Sequence, residues 1–350
     1  MLNLFGRKFP SENFPPVIVH VIYLLMSVTF CLIYNHMVIG VSDLRYDEYA
    51  GIYRVLEGNA IKAIQFRVLV PLIFKAFKIL HIPDRAILIF IFVAFTYFTL
   101  IFFYLILNIH FRDKVFNSIL ALALFYPMFW NFILLNQIYF YVEQSTLFFL
   151  VAGFYFLLKK KNVWLLITFL IGAFNHPSVI MLIPVYLLFN YNRLLKKDTI
   201  IYSVLLVGGY YVCFLVLKML YPYFPADRDA DYGLIHFSDT VIALRDLPKH
   251  LIIRDIVFNF GGLHIFAAMF FISGIWKKFK REYVFIYFLI IPYVMLAVLR
   301  AGIRVEEMRN WIPLLPFIIL PALLYLSQIK NPLLKLSDEV TMETGTEAKI

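Results

Sequence analysis

Long runs of apolar residues recur along the chain between positions 16 and 329, and they constrain the fold more than any other feature of the sequence. A helix that crosses a bilayer needs about 20 mainly apolar residues. Runs of this kind lie at 16–40, 85–111, 116–137, 140–158, 199–220, 256–276, 283–300 and 311–329. A composition of 62% hydrophobic and 15% charged residues is far more apolar than that of a soluble domain. The sequence therefore predicts an all-α, polytopic transmembrane helical bundle.

Two further apolar stretches are too irregular to be simple spans. Residues 67–81, RVLVPLIFKAFKILH, are short and place basic residues at helical spacing, so they predict an interfacial or re-entrant helix after the first external loop. Residues 162–191 contain NHPS near their centre, and Pro177 predicts a break between two short helices that form a hairpin. We expect about ten membrane helices in one domain, 1–329, followed by a short, polar, disordered tail, 330–350.

Compact basic clusters lie at 159–161, 193–197 and 277–281, at the ends of apolar runs. Cytoplasmic loops of membrane proteins carry an excess of Lys and Arg. If these clusters are cytoplasmic, both termini are cytoplasmic too, and nearly every group of polar residues lies on the opposite side of the membrane. The net charge of +10 is scattered among such clusters, which suit lipid headgroups. Membrane lipid is therefore an expected partner and nucleic acid is not.

The first external loop carries a concentrated group of charged and aromatic residues, SDLRYDEYAGIYRVL, at 42–56. Asp43, Asp47 and Arg54 fall on one face if the segment is helical. A carboxylate beside others in a semi-dry cleft can act as a general base. The alternative is an ordinary solvated face of a surface helix. A site is favoured because ionisable groups at membrane depth are costly unless they are paired or face a wet cavity.

Other polar residues expected on the same side lie near the ends of apolar runs. Arg67 follows the first loop in QFRVLVPLI, where a guanidinium can bind a phosphate or extend to lipid headgroups. Glu143 opens a span in YVEQSTLFF, and Asn175 and His176 lie at the helix break in FNHPS. A lone histidine at such a break is more often structural than catalytic.

Two later motifs carry acids and bases. The run DRDAD at 227–231 has oxygen donors for a divalent cation, although acids in a long loop are usually solvated. The segment VEEMRNWIPLLP at 305–316 follows Arg304, and its Glu307 and Arg309 either pair with each other or contact a substrate. Nucleotide-binding loops and zinc spacings are missing from the sequence. No metal ligands are assigned, and a divalent cation is the one cofactor considered.

Three of these motifs resemble those of the GT-C superfamily of integral membrane glycosyltransferases. They are the acidic pair at 47–48, the QFRVLVPLI segment, and the E-x-R element at 307–309 before the last span. FNHPS keeps Asn175 where many such proteins have an Asn-Arg-Glu-Thr-like turn, but it lacks the basic and acidic members. The resemblance implies a GT-C-like fold and a polyprenyl-phosphate-linked sugar donor. It also implies transfer to a glycan, lipid or protein acceptor at the outer face of a bacterial inner membrane.

The roles implied by the resemblance fall into three groups. Asp47 would be the catalytic base, and the neighbouring carboxylates Asp43 and Glu48 would support it. The arginines that bind the donor phosphate would be Arg67, Arg304 and Arg309. The residues that contact substrate would be Tyr53, Glu143, Asn175, His176 and Glu307.

Two other functions stay open at this point. The FNHPS segment also resembles a His-x-Ser turn in some Wzy- or EpsG-like polysaccharide polymerases, which join preassembled lipid-linked repeats. A non-enzymatic transporter or flippase is the third alternative. The sequence shows no internal repeat, which disfavours transport.

Overall fold

The computed structural model of the chain describes residues 16–39, 51–60, 65–134, 140–221, 260–288, 314–328, 336–337 and 340. Its regular elements in these ranges are helices, and one isolated bridge joins Phe111 to Leu336. The helices, numbered here in chain order, are α1 Pro16–Tyr34, α2 Ile52–Glu57, α3 Leu69–Lys78, α4 Asp84–His110, α5 Lys114–Leu134, α6 Phe140–Leu158, α7 Asn162–Ala173, α8 Leu182–Phe189, α9 Lys197–Leu220, α10 Leu263–Ile272, α11 Arg281–Phe288 and α12 Leu315–Ser327.

Within the described ranges, four helices are long and apolar enough to cross a membrane: Val17–Val38, Asp84–His110, Lys114–Leu134 and Lys197–Leu220. The outward face of α9 is strongly apolar, with Val204 64% and Val212 57% exposed. An exposed apolar face of this size is unfavourable in water and favourable in lipid. The helical architecture of the described residues confirms the predicted all-α fold, and these four helices are consistent with a membrane protein. Other apolar helices are shorter over the described residues, so the count of about ten spans stays a prediction.

Half-buried aromatic side chains pack along the contact between α4 and α6. Phe95 contacts Phe148, and Phe102 contacts Tyr155, with ring centroids 5.5 Å apart in each pair. From the first ring pair to the second, the residue number rises by the same amount in α4 and in α6, so the two helices run parallel. Offset and edge-to-face rings of this kind stabilise a core beyond the area they bury.

The direction of α6 defines two ends of the bundle. We name the end that contains Glu143 the glutamate end, and the end that contains 159–161 the lysine end. Helix α7 returns to the glutamate end, α8 runs back to the lysine end, and α9 returns once more, as the ring pair Phe66–Phe214 shows. The start of α4 therefore lies at the glutamate end, and its last residue, His110, lies at the lysine end.

The two irregular stretches contain short helices, as the sequence predicts, and the interfacial or re-entrant position of 67–81 stays a prediction. Residues 67–81 contain α3, which is too short to cross a membrane. Residues 162–191 form two helices separated by the turn at 174–176 and the 3₁₀ segment Pro177–Met181, so the break at Pro177 is confirmed. One detail differs from the sequence pattern. Arg67 precedes α3 and is largely buried, so it does not share the exposed basic stripe of the helix.

Three residues of the 330–350 segment lie at the lysine end. The Ser337 amide donates to the His110 carbonyl at 2.9 Å, and the Lys280 amide donates to the Val340 carbonyl at 3.0 Å. Leu336 forms the bridge to Phe111. This part of the predicted disordered tail is bonded to the bundle, and the rest of the segment lies outside the described residues.

Candidate functional site at the glutamate end

The chain that precedes α3 is held by the turn that follows α7. The amides of Val68 and Leu69 both donate to the Phe174 carbonyl, at 3.0 and 3.1 Å. The first amides of a helix have no acceptor within the helix, and α3 has no side-chain cap. Binding them to the neighbouring turn fixes residue 67 against residues 174–176.

This docking places Arg67 opposite the start of α6. Its Nη1 donates to Oε1 of Glu143 at 3.3 Å, and the two side chains are 14% and 3% exposed. Removing one partner of a buried ion pair costs about 3–5 kcal/mol, because the other charge stays in a medium that solvates it poorly. The charged pair joins the segment before α3 to α6, and the hydrogen bonds to the Phe174 carbonyl join the same segment to the α7–α8 turn.

Asn175 fastens the same turn to the first turns of α6. Its Nδ2 donates to the Val142 carbonyl at 3.1 Å and to Oγ1 of Thr146 at 2.9 Å, while its Oδ1 accepts from Ser145 at 2.8 Å. The side chain is fully buried. Asn175 therefore positions the turn beneath Arg67 and Glu143.

His176 follows directly and is half-buried. Its Nδ1 accepts a hydrogen bond from the Ser178 amide at 3.0 Å, which caps the 3₁₀ segment after the turn. A ring nitrogen that accepts an amide proton carries none itself, so the neutral ring holds its proton on Nε2. This contact matches the structural role expected for a lone histidine at a helix break.

Helix α2 packs over the segment before α3 and is held by Gln65. The Gln65 side chain is buried. Its Nε2 donates to the Val55 carbonyl at 2.8 Å, and its Oε1 accepts from the Ala60 backbone amide at 3.0 Å. Val55 and Ala60 pack with Val68 of the α3 segment and with Leu217 near the end of α9. Helix α2 is therefore part of the glutamate end.

Tyr53 of α2 contacts the far end of α3 and the start of α4. Its hydroxyl donates to Oδ2 of Asp84 at 2.9 Å, and its ring lies edge-on to Phe74 at 5.8 Å. Lys78 also binds Asp84, at 2.5 Å, and this hydrogen bond raises the pKa of Lys78 above its usual value. Tyr53 thus connects α2, α3 and α4 about two helical turns from Arg67.

Of the site residues that the sequence singles out, the structure brings Arg67, Glu143, Asn175 and His176 to one location at the glutamate end. Tyr53 lies at the same end. The others lie outside the described residues: Asp43, Asp47, Glu48, Arg304, Glu307 and Arg309. The acidic run at 227–231 is also outside them. Within the described ranges, no three metal-binding side chains lie close enough together to hold an ion.

Several residues that support this location were not singled out from the sequence. Gln144, Ser145 and Thr146 follow Glu143 and are all fully buried. The sequence signal for them is the run of four polar residues, 143–146, at the start of an apolar helix. Because four successive residues point around a full helical turn, some of them must face the interior. Gln65 carried no signal beyond its place before Arg67.

No family model, curated protein or solved structure matches the chain.

Proposed function

We propose that the protein is a multi-pass glycosyltransferase of GT-C type in a bacterial inner membrane. In this proposal the chain has about ten membrane helices, with both termini in the cytoplasm and the glutamate end on the outer face. The enzyme transfers a sugar from a polyprenyl-phosphate carrier to a glycan, lipid or protein acceptor.

The buried pair of Arg67 and Glu143 is the observation that carries this proposal. A guanidinium presents five N–H donors in a fixed fork, so one arginine can bind a carboxylate and a phosphate oxygen together. Glu143 orients the guanidinium, and the low dielectric of the bundle strengthens its attraction for a phosphate. A buried charged pair within a helical membrane protein is costly and more typical of a functional site than of the packing alone.

The proposed reaction is an inverting displacement at the anomeric carbon. Asp47 removes the proton of the acceptor hydroxyl, and the hydroxyl oxygen forms a bond to the anomeric carbon. The bond between that carbon and the phosphate oxygen breaks, and its electron pair leaves with the polyprenyl phosphate. Glu48 or Asp43 supports the base, and Arg67 with Arg304 or Arg309 stabilises the leaving phosphate.

The remaining residues would bind the substrates. Glu143, Glu307 and Tyr53 supply hydrogen-bonding groups for sugar hydroxyls, and Asn175 and His176 hold the turn that faces them. The reaction needs no cofactor in this scheme. A divalent cation on the 227–231 run would further neutralise the phosphate.

The test supplies purified protein in lipid nanodiscs with two classes of donor. One is a panel of polyprenyl-phosphate monosaccharides, and the other is a polyprenyl-diphosphate oligosaccharide, each with envelope glycans of the source cells as acceptor. Mass spectrometry then measures the released carrier lipid. We expect polyprenyl monophosphate from the first class alone. Release from neither class, together with movement of the donor across sealed vesicles, would identify a transporter and contradict the proposal.

A polysaccharide polymerase is the second candidate, and the position of the FNHPS turn favours it. Nδ1 of His176 accepts a hydrogen bond from the Ser178 backbone amide, and the carbonyl of Phe174 in the same turn binds the amides of Val68 and Leu69, so the His-x-Ser turn lies next to Arg67. A polymerase would release polyprenyl diphosphate and lengthen the oligosaccharide. Release of polyprenyl diphosphate in the same assay would therefore identify a polymerase.

A further inference from the structure

The lysine end contains a cavity that the proposed transferase site does not use. It has a volume of about 130 Å³ and lies between the α6–α7 turn and the α8–α9 connection. Among the described residues that line it, the cationic side chains are Lys160, Arg193 and Lys196, and the acid is Asp198. All four are exposed, whereas Tyr186 and Thr199 deeper in the cavity are buried. The cavity thus has a cationic rim above a packed base.

The backbone around the cavity also favours an anion. Helices α7 and α9 both begin beside it, and neither has a side-chain cap on its first amides. A helix N-terminus carries partial positive charge, which repels lysines and attracts anions. Here the residues flanking both starts are lysines, and Asp198 offsets part of the charge. An anion bound in the cavity would reduce the electrostatic repulsion between these lysines and the two helix N-termini.

Lys160 occupies a backbone position that ordinarily suits glycine. Its φ is +55°, in the left-handed region, and its amide donates to the Leu157 carbonyl at 2.9 Å to end α6. Glycine is the usual residue at such a helix end, because a Cβ is strained there. The chain has a lysine there instead, and this lysine lies at the cavity rim.

The surroundings of the cavity are those of a membrane interface. Leu195, between Arg193 and Lys196, is 93% exposed, and Trp164 in the first turn of α7 is 56% exposed. Exposed tryptophans and apolar residues flanked by bases are typical of the headgroup level of a bilayer. A phosphate at that level can belong to a lipid as well as to a dissolved compound.

We propose that this cavity binds a phosphate group, either the headgroup of an anionic phospholipid or a free phosphate. Lys160, Arg193 and Lys196 bind its oxygens, and the N-termini of α7 and α9 contribute amide donors. Basic pockets between membrane helices bind anionic headgroups by the same chemistry. The proposal depends on the lysine end alone and is independent of the transferase reaction.

The test measures the melting temperature of the full chain in neutral detergent during three titrations. The probes are dioctanoyl phosphatidylglycerol, dioctanoyl phosphatidylcholine and inorganic phosphate. We expect saturable stabilisation by phosphatidylglycerol and none by phosphatidylcholine. If inorganic phosphate stabilises equally well, the site takes free phosphate, and if it does not, the site takes the lipid. Equal stabilisation by both lipids, or by none of the three probes, would overturn the proposal.

Two double variants with the same charge change separate this cavity from general surface charge. Lys160→Gln with Lys196→Gln removes two rim charges and should weaken binding at least about tenfold, because each lysine makes a charge-assisted hydrogen bond to the phosphate. Lys161→Gln with Lys197→Gln changes neighbouring lysines outside the cavity lining and should alter binding less than about twofold. Equal effects of the two pairs would overturn the proposal.

Lys160→Gly gives a second measurement if the double variants fold poorly. Glycine removes the rim charge and also the strain of the positive φ. We expect a higher melting temperature without ligand and a smaller shift with the effective probe. An undiminished shift would contradict a role for Lys160 in binding.

Discussion

At the scale of single residues, the pairing of Arg67 with Glu143 is the most informative contact. The two residues are 76 positions apart, and neither the arginine motif nor the glutamate motif indicates the other as its partner. The sequence left two readings of Arg67, phosphate binding and extension to headgroups. The structure turns Arg67 inward to Glu143, which disfavours the headgroup reading.

Breaking this pair tests how strongly it holds the site. Glu143→Gln leaves the Arg67 guanidinium buried opposite a neutral amide, so we expect a loss of about 3 kcal/mol in the free energy of unfolding. Replacing both residues with methionine should recover most of this loss, because no unpaired charge remains. Denaturant titration in micelles measures both values.

Lys78→Gln is the control for this pair. It removes the ion pair with Asp84, in which the lysine side chain is 43% exposed and the acid 12% exposed. The loss should be smaller, because a surface lysine contributes little and Asp84 keeps its hydrogen bond from the Tyr53 hydroxyl. A Glu143→Gln loss no larger than the control loss would contradict a strong buried interaction.

The sequence predicts the presence of polar residues at this site better than their contacts. Asn175 stands out because it interrupts an apolar stretch, yet nothing in the sequence links it to its partners Ser145 and Thr146, which lie in a different apolar run. Hydrogen bonds between distant segments depend on which helix faces meet, and periodicity within one helix does not fix that.

At the scale of elements, close contact between α6 and α8 depends on a small residue. A Cβ at Gly153 would lie 2.4 Å from Cδ1 of Leu182, whose side chain is fully buried. Small residues at helix contacts let membrane helices approach closely. A side chain at position 153 would therefore force the buried Leu182 side chain to shift within the contact between α6 and α8.

Alanine substitutions at two glycines test this contact. Gly153→Ala overpacks a buried interface and should reduce the free energy of unfolding by about 1–3 kcal/mol. Gly208→Ala is the matched control, because a Cβ there meets nothing within 4 Å and alanine favours the helix. Thermal melting of both variants gives the comparison. Equal melting temperatures would contradict the tight contact.

The sequence predicts which helices are present better than it predicts where each helix ends. Pro177 marks the hairpin break because proline cannot continue the α7 ladder, and the short apolar stretch of 67–81 marks α3. The run at 256–276 contains the shorter α10, followed by a turn at Gly274 with φ of +70°. Hydropathy alone does not reveal where such a turn ends a helix.

At the scale of the whole molecule, the two ends of the bundle differ in chemistry. The glutamate end holds a buried ion pair and a buried polar network, and the lysine end holds exposed bases around a cavity. The positive-inside tendency predicts that the lysine end faces the cytoplasm. Both proposals are consistent with this orientation, because the donor phosphate and the lysine-end phosphate are bound at opposite ends.

Cysteine labelling in intact bacterial cells tests the orientation. In a Cys31→Ser, Cys213→Ser background, Lys75→Cys on the exposed face of α3 should react with an impermeant maleimide, and Lys196→Cys should react only after permeabilisation. Val70→Cys on the buried face of α3 is the control and should stay unlabelled in both conditions. The reverse pattern for the two lysine positions would place the glutamate end in the cytoplasm.

The rate of sugar transfer by the Asp47→Asn variant tests the central claim most directly. In the nanodisc assay we expect this variant to keep the wild-type melting temperature and to lose release of polyprenyl phosphate, because the acceptor hydroxyl has no base. A fall of at least about a hundredfold is expected for removal of a general base. Glu57→Gln, on the exposed face of α2, should retain full activity. Transfer at the wild-type rate by Asp47→Asn would contradict the account.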